Sequence, residues 1–223
     1  MLFRRLELVA VLAGTTIGLL GCAAPKAQVD ACTTLLSPAI ENSCISTPGI
    51  LFRGSKPDSE GATALAKLGV RTVVNLELRN DDKQSFAEVR ADISPPLTIG
   101  YFRIREWEPN VVVAPAVLDI HVAEFIAITK TQPKPIYVHC RSGQNRTGVM
   151  VAAYRVLVEG QPIEAAVTEM QRYKGFWFNK DATYVRSLVG DHRAKIEAKV
   201  ASRISSIRED AVFACSQNGC NVR

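Results

Sequence analysis

At 223 residues, 47% of them hydrophobic and 22% charged, the chain has the composition of a globular protein with one good-sized core. A disordered tail, a collagen-like fibre and a polytopic membrane protein are excluded. The formal net charge of +5 is too mild to imply a nucleic-acid partner, and none is expected.

The chain opens with an address. Arg4 and Arg5 precede Leu8 to Leu20, an uncharged and mostly apolar run. That run is shorter than the ~18–20 residues that span a bilayer as a helix, and it fits a secretory signal. It ends in Leu19-Leu20-Gly21-Cys22, which resembles the lipobox of bacterial lipoproteins. The resemblance implies removal of residues 1–21, lipidation of Cys22, and a lipid anchor holding the protein on the periplasmic side of a bacterial envelope. Ala23 after the cysteine favours the outer membrane on the same analogy. Residues 22–47, small, polar and proline-containing, read as a tether.

Export places the other cysteines in an oxidising compartment. Cys32 and Cys44 lie in the tether, Cys215 and Cys220 in a polar C-terminal tail. These four permit three pairings, of which the local one, Cys32 with Cys44 and Cys215 with Cys220, is the simplest. A structural zinc site from the same four lacks close Cys-x-x-Cys spacing. His121 and His192 have no partners at ligand spacing, so no metal is assigned. Cys140 is left alone at the centre of the chain.

Between the tails, residues 48–192 read as one α/β domain. Ordered structure starts at Ile50–Gly54. Ser59 to Leu68 has helical apolar spacing ending at Gly69, and Val70 to Leu76 reads as a buried strand followed by a charged loop through Asp82. Tyr101–Ile104 reads as another strand, residues 116–129 as a helix, and Ile136–Val138 as a strand after Pro133 and Pro135. A helix from Thr147 to about Val158 is apolar nearly all round and so central to the core. A further helix follows Pro162, taken as its first position. Residues 193–223 form a charged C-terminal extension, the stretch from Arg186 to Arg208 being a mostly surface helix.

The chemistry is concentrated in His139-Cys140-Arg141-Ser142-Gly143-Gln144-Asn145-Arg146-Thr147-Gly148, between a strand and an apolar helix. Glycines let such a loop curl so that successive N–H groups point inward as an anion nest, and the following helix turns its positive end to the same point. Arg141, Ser142, Gly143, Gln144, Asn145 and Arg146 are the phosphate-binding candidates. Arg146 adds a planar fork for two phosphate oxygens. Among those donors the Cys140 thiol should ionise readily and act as a nucleophile. A nucleotide-binding loop is excluded, because Gly148 is followed by Val149-Met150 and supplies neither the lysine nor the magnesium hydroxyl.

His139-Cys140-x5-Arg146-Thr147 resembles the signature of the cysteine-dependent tyrosine and dual-specificity phosphatases. The similarity runs from about Leu51-Phe52-Arg53-Gly54-Ser55 to Arg172-Tyr173. The nearest subgroup looks like the compact atypical phosphatases of plants and fungi and their exported bacterial relatives. The resemblance implies a single cysteine-phosphatase-like α/β domain with a central, mostly parallel sheet flanked by helices. It also implies two-step ester hydrolysis through a phosphocysteine, without metal or other cofactor. Cys140 would be the nucleophile, Arg146 the stabiliser of the equatorial oxygens, Thr147 the aid to the departing sulfur, and His139 a support for the loop.

The sequence departs from the family at the general acid. Tyrosine phosphatases supply an aspartate from a loop upstream of the cysteine, where this chain has Arg105-Glu106-Trp107-Glu108-Pro109-Asn110. Glu108 is the first choice, with Glu106 and Asp119 as rivals. Arg141 is the one extra basic residue inside the loop, which tilts the substrate towards protein phosphotyrosine, then phosphoserine and phosphothreonine. The expected partner is a phosphorylated envelope protein or a small phosphoester. Inositol phosphates and pyrophosphates, or an idle phosphate-binding module, are the alternatives. Phe176-Trp177-Phe178 is read either as pocket mouth or as core. Oligomeric state is left open.

Overall fold

The computed structural model describes Cys32 and residues 34–223. The expected signal segment and Cys22 lie outside the described residues. The elements are β1 (Cys44–Thr47), β2 (Leu51–Ser55), α1 (Ser59–Lys67), β3 (Thr72–Glu77), α2 (Lys83–Ala87), β4 (Leu97–Glu106), α3 (Asn110–Val113), α4 (Pro115–Thr131), β5 (Ile136–Cys140), α5 (Asn145–Leu157), α6 (Ile163–Gln171), α7 (Phe178–Arg186), α8 (Gly190–Ile204), β6 (Ala211–Ser216) and β7 (Gly219–Val222).

The strands form one sheet in the order β1-β2-β5-β3-β4-β6-β7. Its centre, β2-β5-β3-β4, is parallel, and the outer pairs are antiparallel. Both faces of the centre are covered, which explains why β3 and β5 are buried at every position and lack alternation in sequence. Strand period two sends Ile136, Val138 and Cys140 to the face packed by α4, α5, α7 and α8. Tyr137 goes to the opposite core with Ala62 and Leu65 of α1 and Phe86 of α2. Cys140 thus stands at the carboxyl end of the middle strand, the edge where open α/β sheets place their ligands.

Several expected boundaries move. β4 runs on to Glu106, α5 begins at Asn145, and Pro162 is the residue before α6 rather than its first. The tails contribute more than a tether and an extension would. β1 pairs with β2, Ile40 is buried in the second core, and β6 pairs with β4. The sheet therefore continues across both boundaries placed at 47/48 and 192/193. α8 carries a charged outer surface but buries Ile196 and Val200 in the main core. Cys32 is bonded to Cys44, and Cys215 to Cys220, its direct partner across the β6–β7 hairpin.

Candidate active site

Cys140 is a free thiol, fully buried where β5 ends. The loop after it is held from outside by its carbonyls. The Lys56 N–H donates to Arg141 O at 3.2 Å, and the Asn42 side-chain amide donates to Ser142 O at 2.8 Å. Arg53 Nη2 donates to Gly143 O. A trans peptide directs its N–H opposite to its C=O, so drawing three successive carbonyls outward turns the N–H groups of residues 142–144 inward. Among the described residues, none of those N–H groups donates to a protein acceptor. Inward N–H groups are what an anion nest requires, and the loop is drawn into this shape by β2, by Lys56 after it and by Asn42 before β1.

Gly143 has φ +71°, and a Cβ there would lie 2.6 Å from the Gly54 carbonyl carbon. Only glycine permits both the left-handed turn and the approach to β2. The loop ends at the N-terminus of α5, whose positive end faces the same cradle. The Thr147 hydroxyl is buried without a protein partner among the described residues and so is uncommitted.

Arg146 is anchored by two of its nitrogens. Nε lies 3.2 Å from Glu108 Oε1, while Nη1 donates to the Leu76 and Glu106 carbonyls at 3.2 and 3.4 Å. The two backbone acceptors fix the fork without neutralising it, and the Glu108 carboxylate on Nε supplies the paired charge.

Behind the loop, His139 Nε2 stands 3.2 Å from Asp82 Oδ2, both fully buried and short of good hydrogen-bond alignment. Tyr137 stacks on the imidazole, with ring centroids 5.4 Å apart. Asp82 Oδ1 accepts from the Tyr101 hydroxyl and, at 2.9 Å, from Asn75 Nδ2. Burial works to raise the Asp82 pKa, but His139 and the hydrogen bonds from Tyr101 and Asn75 outweigh it and hold the carboxyl below its ordinary range. His139 is thus a link between the loop and the second core, not part of the cradle.

The acid side is assembled from separate elements. Glu106, Glu108, Asn145, Arg146 and Asp181 line one small cavity beside the loop, closed by Val111, Leu118, Val149 and Met150. Glu108 is partly exposed and is the carboxylate on Arg146. Glu106 is buried, accepting from Asn110 Nδ2 at 3.1 Å and pairing with His121 Nδ1. Asp119 accepts from the Tyr184 hydroxyl at 2.9 Å and from His192 Nε2 at 2.8 Å, binding α4 to α7 and α8. Of the three acids expected, two line the cavity and Asp119 does not.

Asp181 of α7 gave no sign in the sequence. It accepts from Asn145 Nδ2 at 2.8 Å, and burial, with Glu108 and Glu106 adding their fields, pushes its pKa up to about 7 against that hydrogen bond. The aromatic triplet divides between surface and core. Gly175 abuts the Asn145 side chain, Phe176 is 91% exposed with Trp177 edge-on to it, and Phe178 packs on the main core. Trp107, half exposed, stands next to Glu108 in the chain. Among the described residues no group of three or more His, Cys, Asp and Glu side chains is placed to hold a metal ion.

Comparison with known proteins agrees with this architecture. Residues 37–187 match the family model described as "PTP-NADK: DSP-PTPase phosphatase fused to NAD+ Kinase". The dual specificity protein phosphatase TpbA of Pseudomonas aeruginosa is 28% identical over 140 residues, 61% of this chain and 58% of that protein. The RNA/RNP complex-1-interacting phosphatase of Rattus norvegicus is 29% identical over 118 residues, 52% and 36% of the two chains. The chain spans about half the length of the TpbA proteins it matches. Among solved structures, P. aeruginosa TpbA superposes with TM-score 0.57 at 24% identity, covering 78% of this chain and 97% of that one. The catalytic core of the S. cerevisiae PP-IP phosphatase SIW14 does so with TM-score 0.52 at 18% identity, covering 74% and 95%. These structural likenesses carry the fold, and the family match spans the cradle, Cys140 and the acid-side cavity together. The chain belongs to the dual-specificity branch of the cysteine-dependent phosphatases.

Proposed function

We propose that the protein hydrolyses phosphate monoesters through a phosphocysteine, and that its physiological substrate is a protein phosphotyrosine in a bacterial envelope. The observation that carries the reading is the cradle: inward N–H groups around the buried Cys140 thiol, with Arg146 held ready by backbone carbonyls. The Cys140 thiolate attacks phosphorus, the phosphorus–oxygen ester bond breaks, and the leaving oxygen takes a proton from Glu108. Water then attacks the phosphocysteine, its proton returns to the Glu108 carboxylate, and inorganic phosphate leaves as the thiolate re-forms beside the Thr147 hydroxyl. The transferred charge is met by the loop N–H groups and Arg146, which are fixed before reaction. Phosphate arriving at Arg146 competes with Glu108 for the fork, freeing the carboxyl to turn to the leaving group.

The exposed rings of Phe176 and Trp107 support an aromatic leaving group, and a TpbA structure in complex with pTyr is among the similar folds. The test is a panel of phosphopeptides against inositol phosphates and pyrophosphates, with Cys140→Ser as the blank. Phosphotyrosine peptides are expected to be the best substrates, with Cys140→Ser inert on all. Preference for an inositol pyrophosphate would replace the substrate assignment, and wild-type turnover by Cys140→Ser would end the mechanism.

The envelope address rests on the Leu19–Cys22 segment, outside the described residues. No helix among the described residues is long and apolar enough to cross a membrane. Cys22→Ser is expected to move the protein from the membrane to the soluble fraction, and continued pelleting with membranes would contradict a lipid anchor.

A further inference from the structure

Arg53 is the most unusual side chain near the loop. It is fully buried on β2, in register with Val138 of β5, one strand over from the nucleophile. Nη2 holds the Gly143 carbonyl, and the Tyr173 ring lies 4.2 Å over the guanidinium carbon. Nε and Nη1 are buried without a hydrogen-bond partner. Burying a cation with two idle donors is costly, and an apolar side chain would fill the same space without that cost. The stacked ring offsets part of it. What an apolar residue could not do is draw the Gly143 carbonyl outward.

We infer that Arg53 is a positioning residue for the proposed phosphatase reaction: its guanidinium sets the Gly143–Gln144 peptide so that the Gln144 N–H faces the phosphate, and its charge lies behind the Cys140 thiolate. The inference rests on the reading of Cys140 as a thiolate nucleophile. The other ionisable groups near this pair include Tyr137 on β5, which faces both, Tyr173 and Glu169 beside Arg53, His139 next to the thiol in the chain with Asp82 behind it, and Arg146 at the end of the loop. Burial lowers the Arg53 pKa, while Tyr173, Glu169, Cys140 and Tyr137 favour its charged form. Of the three anchors on the loop carbonyls, it alone supplies both a donor and a full charge.

The test compares wild type, Arg53→Met and Arg53→Lys, each checked for folding by circular dichroism and thermal unfolding. The readouts are the pH midpoint of Cys140 alkylation by iodoacetamide and the inhibition constant of vanadate. For Arg53→Met the midpoint is expected to rise so that thiolate at a fixed acidic pH falls about tenfold, with vanadate inhibition weakened by a similar factor. Arg53→Lys should keep most of the titration, because the charge remains, but not vanadate affinity, because the fork is gone. A folded Arg53→Met with both readouts within about twofold of wild type overturns the inference while leaving the phosphatase reading intact. If Arg53→Met does not fold, Arg53→Lys carries the test, and wild-type vanadate affinity in it overturns the positioning role. A wild-type Cys140 that titrates as an ordinary thiol overturns the phosphatase reading and this inference with it.

Discussion

The two sides of the cavity beside Arg146 are built on different plans. The nucleophile side is a single run of chain, from His139 to Thr147, with fixed backbone and every outward carbonyl of its first half anchored. The acid side brings carboxylates from the end of β4, the turn after it and α7, and each is committed to a different partner. The first must present the same donors to any phosphoester, so rigidity serves it. The second must give up a proton and take it back, so one of its groups has to be able to move. Glu108, the partly exposed one on a turn, meets that need, whereas Glu106 and Asp181 are locked by Asn110 and Asn145.

The sharpest way to separate the two sides is the leaving group. Glu108→Gln should cost on the order of 10²–10⁴ in rate on phosphoserine or phosphothreonine peptides, whose alkoxides need a proton. On para-nitrophenyl phosphate, whose phenolate leaves almost unaided, the loss should be small. Equal large losses on both would make Glu108 a support for Arg146 instead of an acid. Gly143→Ala is the matching change on the nucleophile side. It forces a side chain into the left-handed turn and against Gly54, and should cost roughly 10² in rate, the scale of a reacting group displaced by about an ångström. That loss should be the same for all leaving groups, and a leaving-group-dependent loss would dissolve the distinction.

The sequence revealed these two sides unequally, and the reason is locality. The strand, glycine turn and apolar helix around Cys140 are neighbours in the chain, so spacing alone exposed the loop and the middle of the sheet. Asn42, Lys56 and Asp82 reach the site only because the segments around β1, β2 and β3 lie in one sheet with β5, and Asp181 only because α7 packs on α5, so no spacing around Cys140 marks them. Asp181 sits in a helix whose composition is mostly polar, where one buried carboxyl looks like any surface acid. β1 and β7 were missed for a related reason. As edge strands they are only half buried, with Cys44 and Ser46, or Gly219 and Cys220, as their buried residues, so they show no apolar run.

A further expected effect concerns Asp181 and is read in stability instead of rate. Its pKa stands at about 7 in the folded protein against an ordinary 3.8. A carboxyl raised in this way favours the fold most while protonated. That contribution is full below the unfolded value and is lost as pH rises through about 7. Asp181→Asn keeps an acceptor for Asn145 and removes the ionisation. Denaturant unfolding should therefore find the variant near wild type at acidic pH and more stable above neutrality, by at most about 4 kcal/mol. A variant less stable than wild type in alkaline buffer would show that the ionised carboxylate is wanted, and would make Asp181 a second candidate for proton transfer.

In the proposed reaction phosphorus passes through the Cys140 sulfur. Rapid acid quenching of wild type during turnover of a phosphotyrosine peptide, followed by peptide mass spectrometry, reads this directly. A phosphoryl group is expected on the peptide containing Cys140, more of it in Thr147→Ala, where sulfur departs without its hydroxyl. Steady turnover with phosphate on another residue, or with none on Cys140 even in Thr147→Ala, would contradict it.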